Sequence, residues 1–275
     1  MSVTASSPDE TEPCVLRSDA NAVATLTLNR PKNLNALSQD MLEALQTELD
    51  AIAGDESVRV VVLSSTGQVF SAGHNMKDML ANYTQAYQEA LFARSSQVML
   101  SILQLPQPVI ARVNGMVTAA GTQLVATCDL AIAAEGSRFA TSGINLGLFC
   151  STPSVALSRN VARKHAMEML LTGDFIDARR AYEIGLLNKV APAADLDSEI
   201  QILTSKLTAK SAYALALGKQ AFYRQLDMGV TDAYGFMSQE MARNMMDRDA
   251  AEGIGAFFAK RQPSWDQSRR DKADE

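Results

Sequence analysis

Two apolar runs, "VRVVVLSS" (Val58 to Ser65) and "PVIARVNG" (Pro108 to Gly115), are each followed by a turn of glycine and small residues and then by a helix-forming stretch. A strand that is apolar on both faces must be covered on both faces, which a mostly parallel sheet with flanking helices provides. Parallel neighbours in turn need helical crossovers. The pattern therefore predicts an α/β fold. "VATLTLNRP" (Val23 to Pro31) adds an alternating strand ended by proline, "DLAIAAE" (Asp129 to Glu135) another, and Leu187 to Val190 a short one. Ser38 is an N-cap candidate for a helix carrying Leu42, Leu45, Leu49 and Ile52 at helical spacing, with Gly54 as its stop. A more polar helix is predicted over roughly Tyr83 to Leu105, ended by "PQP".

From about Ala194 the character changes to helical periodicity without strands: Leu196 to Leu217, Lys219 to Met228, Thr231 to Met246, and "EGIGAFFAKR". The chain divides into a disordered tail at 1–13, an α/β core at 14–195, a helical region at 196–262 and a charged tail at 263–275. The Met-rich face (Met237, Met241, Met245, Met246) reads as core or as a subunit contact.

Composition narrows the function classes. The 275 residues carry a formal net charge of −6, with 20% charged residues. A broad nucleic-acid interface needs clustered Lys and Arg to displace counterions, so none is expected. No apolar run reaches the roughly 18 residues of a membrane span. Cys14, Cys128 and Cys150 form no CxxC pair, and their odd number implies a reducing compartment, read as cytoplasmic. The polar, acidic start lacks the pattern of a secretory signal. His74 and His165 stand in no HxxxH or HxH pair, so no metal site is expected.

The chemistry concentrates in the two glycine turns, "FSAGHNM" and "NGMVTAAGTQ". A helix N-terminus offers unpaired N–H groups and partial positive charge, and small residues let a ligand oxygen approach them. Two such turns aimed at one point make an oxyanion hole. Spacing alone leaves open whether they converge. Gly and Ala also serve ordinary strand-to-helix turns.

"LNRPKNLNAL", "FSAGHNMKDM", "VNGMVTAAGTQLVATCDLAIA" and "LTGDFIDARRAYEIGLLNKV" occur in the order typical of the crotonase, or enoyl-CoA hydratase/isomerase, family. The resemblance covers about Val23 to Val190. "FATSGINLGLFCSTPSVALSRNVARKHAMEMLLTG" resembles the branch called enoyl-CoA hydratase domain-containing protein 3 and its bacterial relatives. It implies a crotonase (ClpP-like) ββα spiral with a C-terminal helical oligomerisation region, packed as a homotrimer or dimer of trimers. It also implies an acyl-CoA thioester substrate, with coenzyme A as part of that substrate and no separate cofactor, in fatty-acid metabolism. By position, the backbone amides of His74 and Ala120 polarise the thioester carbonyl and stabilise an enolate. Ala72, Asn75, Met76 and Lys77 join them along the CoA site, Lys32 and Leu34 hold its nucleotide end, and Phe258 (or Phe257) with Lys260 approach CoA bound by a neighbouring subunit.

The departures from the family pattern fall on acid–base chemistry. The two hydratase glutamates align with Gln123 and Gly143. An amide and a glycine neither activate water nor deliver a proton, work worth roughly 10²–10⁴-fold per group. Three readings stay open: an enoyl-CoA hydratase-like lyase with altered or weak activity, a malonyl-type acyl-CoA decarboxylase, and a non-catalytic acyl-CoA-binding protein. His74 is either a surface turn residue or a participant through its side chain. Cys150 reads as a buried structural thiol, Asp129 as an anchor of the turn before its strand, Glu89 as a remote candidate base, and His165 as a helix-face residue.

Overall fold

The computed structural model describes residues 12–266. Most of the two expected tails lies outside the described residues. The chain begins with an antiparallel hairpin of β1 (Val15–Ala20) and β2 (Val23–Leu28). Asn21 and Ala22 both take positive φ, 52° and 61°, as a two-residue hairpin turn with the twist of its strands requires. β1 carries one buried residue, Val15, so it lacks the alternation that marks β2. A short 3-10 turn at Pro31–Asn33 leads to α1 (Gln39–Ala53). The Ser38 hydroxyl caps α1, accepting from the Met41 N–H, and Leu42, Leu45, Leu49 and Ile52 are all buried. Gly54 ends the helix at φ −91°, without the left-handed turn a glycine stop commonly uses.

Two-strand units then alternate with helices. β3 (Val60–Ser65) and β4 (Val69–Ser71) precede α2 (Met76–Ala81) and α3 (Gln85–Gln104). β5 (Val109–Val113) and β6 (Met116–Thr118) precede α4 (Ala120–Thr127). β7 (Leu130–Ala134) and β8 (Arg138–Ala140) precede α5 (Ser151–Asn160) and α6 (Arg163–Thr172). β9 (Ile176–Asp177), α7 (Ala178–Glu183) and β10 (Lys189–Ala191) close the series. The hairpin, the strands β3, β5 and β7 that open the two-strand units, and β10 form a six-stranded sheet, β1-β2-β3-β5-β7-β10, parallel from β2 onward. The second strands of those units and β9 form a four-stranded sheet, β4-β6-β8-β9. This is the ββα spiral. β4, β6, β8 and β9 are two or three residues long, too short to show a period in sequence.

The helical region comprises α8 (Leu196–Thr208), α9 (Ala212–Gln225), α10 (Val230–Met245) and α11 (Arg248–Phe258). The expected single helix from Leu196 to Leu217 is broken at Ala209–Ser211, where Ser211 caps α9 by accepting from the Ala214 N–H at 3.1 Å. α8 covers one face of the large sheet: Leu196 and Ile200 pack on Val60, Val62, Ile110 and Ile132. The main core lies on the opposite face. Double coverage explains why every β3 residue except Ser65 is buried.

α9 is pinned to the core by a buried polar cluster. Lys219 Nζ meets Asp129 Oδ2 at 2.7 Å and donates to the Ile102 and Gln107 carbonyls at 2.8 and 2.9 Å. Asp129 also accepts from the Val109 N–H at 2.7 Å and the Tyr223 hydroxyl at 2.8 Å. Burial pulls the lysine down while Asp129 holds it up; burial and the same carboxylate push the tyrosine up. Asp129 is thus an anchor, as the sequence suggests, tying two strands to a helix ninety residues on. Tyr223→Phe removes a hydrogen bond to a charged acceptor and is expected to cost about 1.5–3 kcal/mol in urea unfolding. α10 has no buried residue, and Met241, Met245 and Met246 are exposed. Of the two readings of the Met-rich face, core is therefore excluded within this chain. No described helix is long and apolar enough to cross a membrane.

Candidate active site

The site begins with Asn35. This fully buried side chain donates to the Thr66 and Val69 carbonyls at 2.8 Å each and accepts from the Arg30 N–H at 2.7 Å. It thereby fixes the loop around Leu34 and Asn35, both at positive φ. The loop then holds the first glycine turn from outside. The Ala72 N–H donates to Leu34 O at 3.0 Å, the Ser71 hydroxyl to Asn35 O at 2.9 Å, and the Leu37 N–H to Gly73 O at 2.8 Å. Because Leu37 engages the residues flanking His74, the N–H of His74 faces the other way.

The second turn comes to meet it. Ala119 is the N-cap of α4 at φ 51° and ψ −120°, a backbone state costing a non-glycine residue on the order of 1–3 kcal/mol. Its N–H donates to Ala140 O at 3.0 Å. Ala120 is the first residue of the helix, so its N–H has no acceptor within the helix. Gly73, at φ 83°, lies against this point. A Cβ placed on it would stand 2.9 Å from Ala120 N and from Ala119 Cβ. One residue further on, a Cβ on Gly121 would stand 2.4 Å from Ser71 O. The two turns are in direct backbone contact, and only glycine permits it.

They border a cavity of about 450 Å³, lined among the described residues by Ala72, His74, Met76, Ala119, Ala120 and Gly143 together with side chains from α2, α3 and the 142–153 segment. Five of the expected site residues thus meet: Ala72, His74, Met76, Ala120 and Gly143. Gln123 lies on the same helix as Ala120 but is buried outside the lining, its Oε1 without a partner among the described residues. Asn75 caps α2 through its side chain, and Lys77 is exposed beside it. Lys32 and Leu34 are exposed on the adjoining loop. Phe258, at the end of α11, and Lys260, two residues beyond it, are exposed and not among the lining residues. Sequence reasoning missed Met79 and Phe92, and also Leu146, Leu148 and Phe149, whose exposed apolar side chains border the cavity. The run of apolar residues on either side of Gly147 was the available signal.

His74 is not the surface residue one reading allows. It is 8% exposed, with its ring edge-on to Phe92 at 5.2 Å between centroids. Burial lowers its pKa from 6.5 to about 4, so the imidazole is neutral at pH 7. Between pH 6.5 and 4 the unfolded chain takes up a proton that the folded chain refuses. Stability therefore falls as pH falls, with a slope approaching ~1.4 kcal/mol per pH unit. His74→Phe is expected to flatten that slope, as urea midpoints at pH 7, 6 and 5 will read.

Cys150 is buried and borders the cavity at the N-terminus of α5. Burial pushes its thiol up, partly offset by a hydrogen bond from the Gly143 backbone. Glu89 is exposed, accepts from Gln85 at 2.7 Å and does not reach the lining. His165 lies near Arg180 on the outside of α6, 3.1 Å from the guanidinium. No group of three His, Cys, Asp or Glu among the described residues could hold a metal ion.

The family model for enoyl-CoA hydratase/isomerase matches residues 18–269. The chain belongs to the enoyl-CoA hydratase/isomerase family. Among its relatives in that family is enoyl-CoA hydratase domain-containing protein 3, mitochondrial, of Xenopus laevis, 44% identical over 97% of this chain and 90% of the relative. The human protein of the same name is 45% identical over 89% of this chain and 81% of its own. A crystal structure of enoyl-CoA hydratase from Mycobacterium smegmatis superposes with TM-score 0.91 at 54% identity, covering 92% of this chain and 99% of that one. The crystal structure of human enoyl-CoA hydratase domain-containing protein 3 gives TM-score 0.89 at 44% identity, over 92% and 100%. The crotonase fold and the resemblance to that branch are thereby established. The cytoplasmic expectation is corrected: the Xenopus, human, rat and mouse relatives are named as mitochondrial. Cysteine usage separates reducing from oxidising surroundings and cannot tell one reducing compartment from another.

Proposed function

We propose that this chain binds an acyl-CoA thioester and stabilises its enolate between the backbone amides of His74 and Ala120. One observation carries the reading: Gly73 packs on Ala120 N, so the two amide-bearing turns meet at one corner of the cavity. Amides fixed by backbone packing need no reorganisation as negative charge develops on the thioester oxygen. Lys32 and Lys77, both exposed, are the cations this reading assigns to the CoA phosphates. The lining carries no carboxylate among the described residues, so hydration by a glutamate pair is not the reaction this cavity favours.

Calorimetry with CoA and crotonyl-CoA, run beside a crotonyl-CoA hydration assay, tests the proposal. Binding is expected, with hydration slower than in a glutamate-bearing relative by about 10²–10⁴-fold for each missing group. Absence of binding to both ligands overturns the reading. The exposed apolar residues of α10 and α11, among them Tyr234, Met241, Phe257 and Phe258, support assembly as a trimer or a dimer of trimers. Light scattering will distinguish a monomer from either.

A further inference from the structure

We infer that the cavity selects by charge: it accepts a CoA thioester whose acyl group is uncharged and discriminates against one that ends in a carboxylate. This rests on the acyl-CoA reading above and narrows it to a substrate class. No Lys, Arg, Asp or Glu stands among the described lining residues. The two titratable groups that do, His74 and Cys150, are both held uncharged by burial at neutral pH. The apolar side chains of Met76, Met79, Phe92, Leu146, Leu148 and Phe149 make up much of the remaining wall.

A helix N-terminus at the cavity is an obvious place for an anion, and α5 begins there with Ser151, Thr152 and Pro153 in the lining. Of its first-turn amides, only the Thr152 N–H has no acceptor among the described residues. The Ser151 N–H donates to Phe149 O at 2.8 Å, the Ser154 N–H donates to Cys150 O at 2.9 Å, and Pro153 has none. The amide of Ala120, at the start of α4, is the one assigned to the thioester oxygen. A second anionic group in the cavity would lose its water without gaining a cation, and an unpaired buried charge is strongly unfavourable. The exposed Lys32 and Lys77 are not among the lining residues, and the acyl-CoA reading assigns them to the nucleotide end.

Among the readings open from sequence, this disfavours the malonyl-type decarboxylase, whose substrate carries the excluded group. The test is calorimetry with CoA, butyryl-CoA, succinyl-CoA and malonyl-CoA on the full chain. Butyryl-CoA and succinyl-CoA share a four-carbon acyl chain and differ in a terminal carboxylate. Butyryl-CoA is expected to bind more tightly than CoA, and succinyl-CoA about 100-fold more weakly than butyryl-CoA. Leu146, in the lining yet 68% exposed, tolerates a charged replacement. Leu146→Arg is expected to narrow the ratio about tenfold by supplying the missing cation, with circular dichroism verifying the fold. Succinyl-CoA binding as tightly as butyryl-CoA, an unchanged ratio in folded Leu146→Arg, or release of CO₂ from malonyl-CoA overturns the inference while leaving the CoA reading intact. Failure of CoA and every thioester to bind overturns both.

Discussion

Gly73→Ala is expected to lower enolate stabilisation by about 10²–10³-fold while leaving the chain folded. The methyl group would stand 2.9 Å from Ala120 N and from Ala119 Cβ, and 3.1 Å from Thr118 O. Those neighbours are backbone, or a side chain with no rotamer to change, so relief requires the two turns to separate. Moving them apart by a few tenths of an ångström displaces one amide from the oxygen it would serve. The left-handed backbone at Gly73 adds roughly 1–2 kcal/mol for a residue with a Cβ. For a chain of this length that is a fall in melting temperature of about 2–8 °C. Acetoacetyl-CoA separates the two effects, because its enolate absorbs in the near ultraviolet. The wild type is expected to lower the pH at which the bound ligand ionises, and Gly73→Ala to lose that shift. A folded Gly73→Ala variant that holds the enolate as the wild type does would refute the convergence argument.

The same glycine marks the limit of what the sequence discloses. The small-residue turns are legible as strand-to-helix turns with accessible amides, a pattern that ordinary βα connections share. Their contact is not legible, since it depends on β4 and β6 pairing side by side, and each is three residues long. The large sheet is readable from β3, whose burial on both faces leaves an apolar run, and from β5, where Arg112 alone interrupts one. β1 is hidden because an edge strand exposes most of its side chains. His74 was the most ambiguous residue: an imidazole in a glycine turn resembles a surface residue until Phe92, eighteen positions on, packs against it. Cys150 was readable as buried but not as part of the cavity wall, because Gly143, its neighbour in space, lies across a tight turn closed by Leu148 N–H to Gly143 O at 3.0 Å.

Gln123→Glu/Gly143→Glu, which places a glutamate at each of the two positions to which the family resemblance assigns one, is expected to lose more than about 4 kcal/mol of stability and to gain no hydratase activity. At Gln123 the side chain is 4% exposed and its Oε1 has no partner among the described residues. A glutamate there must either bury an unpaired charge, at a cost of several kcal/mol, or remain protonated and useless as a base. At Gly143 a Cβ would stand 2.7 Å from Leu148 O and 2.9 Å from Cys150 Sγ. Overpacking of this kind costs about 1–3 kcal/mol, and here one clashing atom is a carbonyl fixed by the turn. Adding Cys150→Ala removes the sulfur contact and is expected to return part of the stability, but the Leu148 carbonyl still blocks the side chain. Urea unfolding and loss of the enoyl thioester absorbance of crotonyl-CoA will read the two quantities separately. A stable double variant that hydrates crotonyl-CoA would show that the 142–153 segment opens readily. If it stays inactive and unstable, the backbone around both positions excludes a working glutamate pair, and the proposed oxyanion corner serves a reaction that needs none.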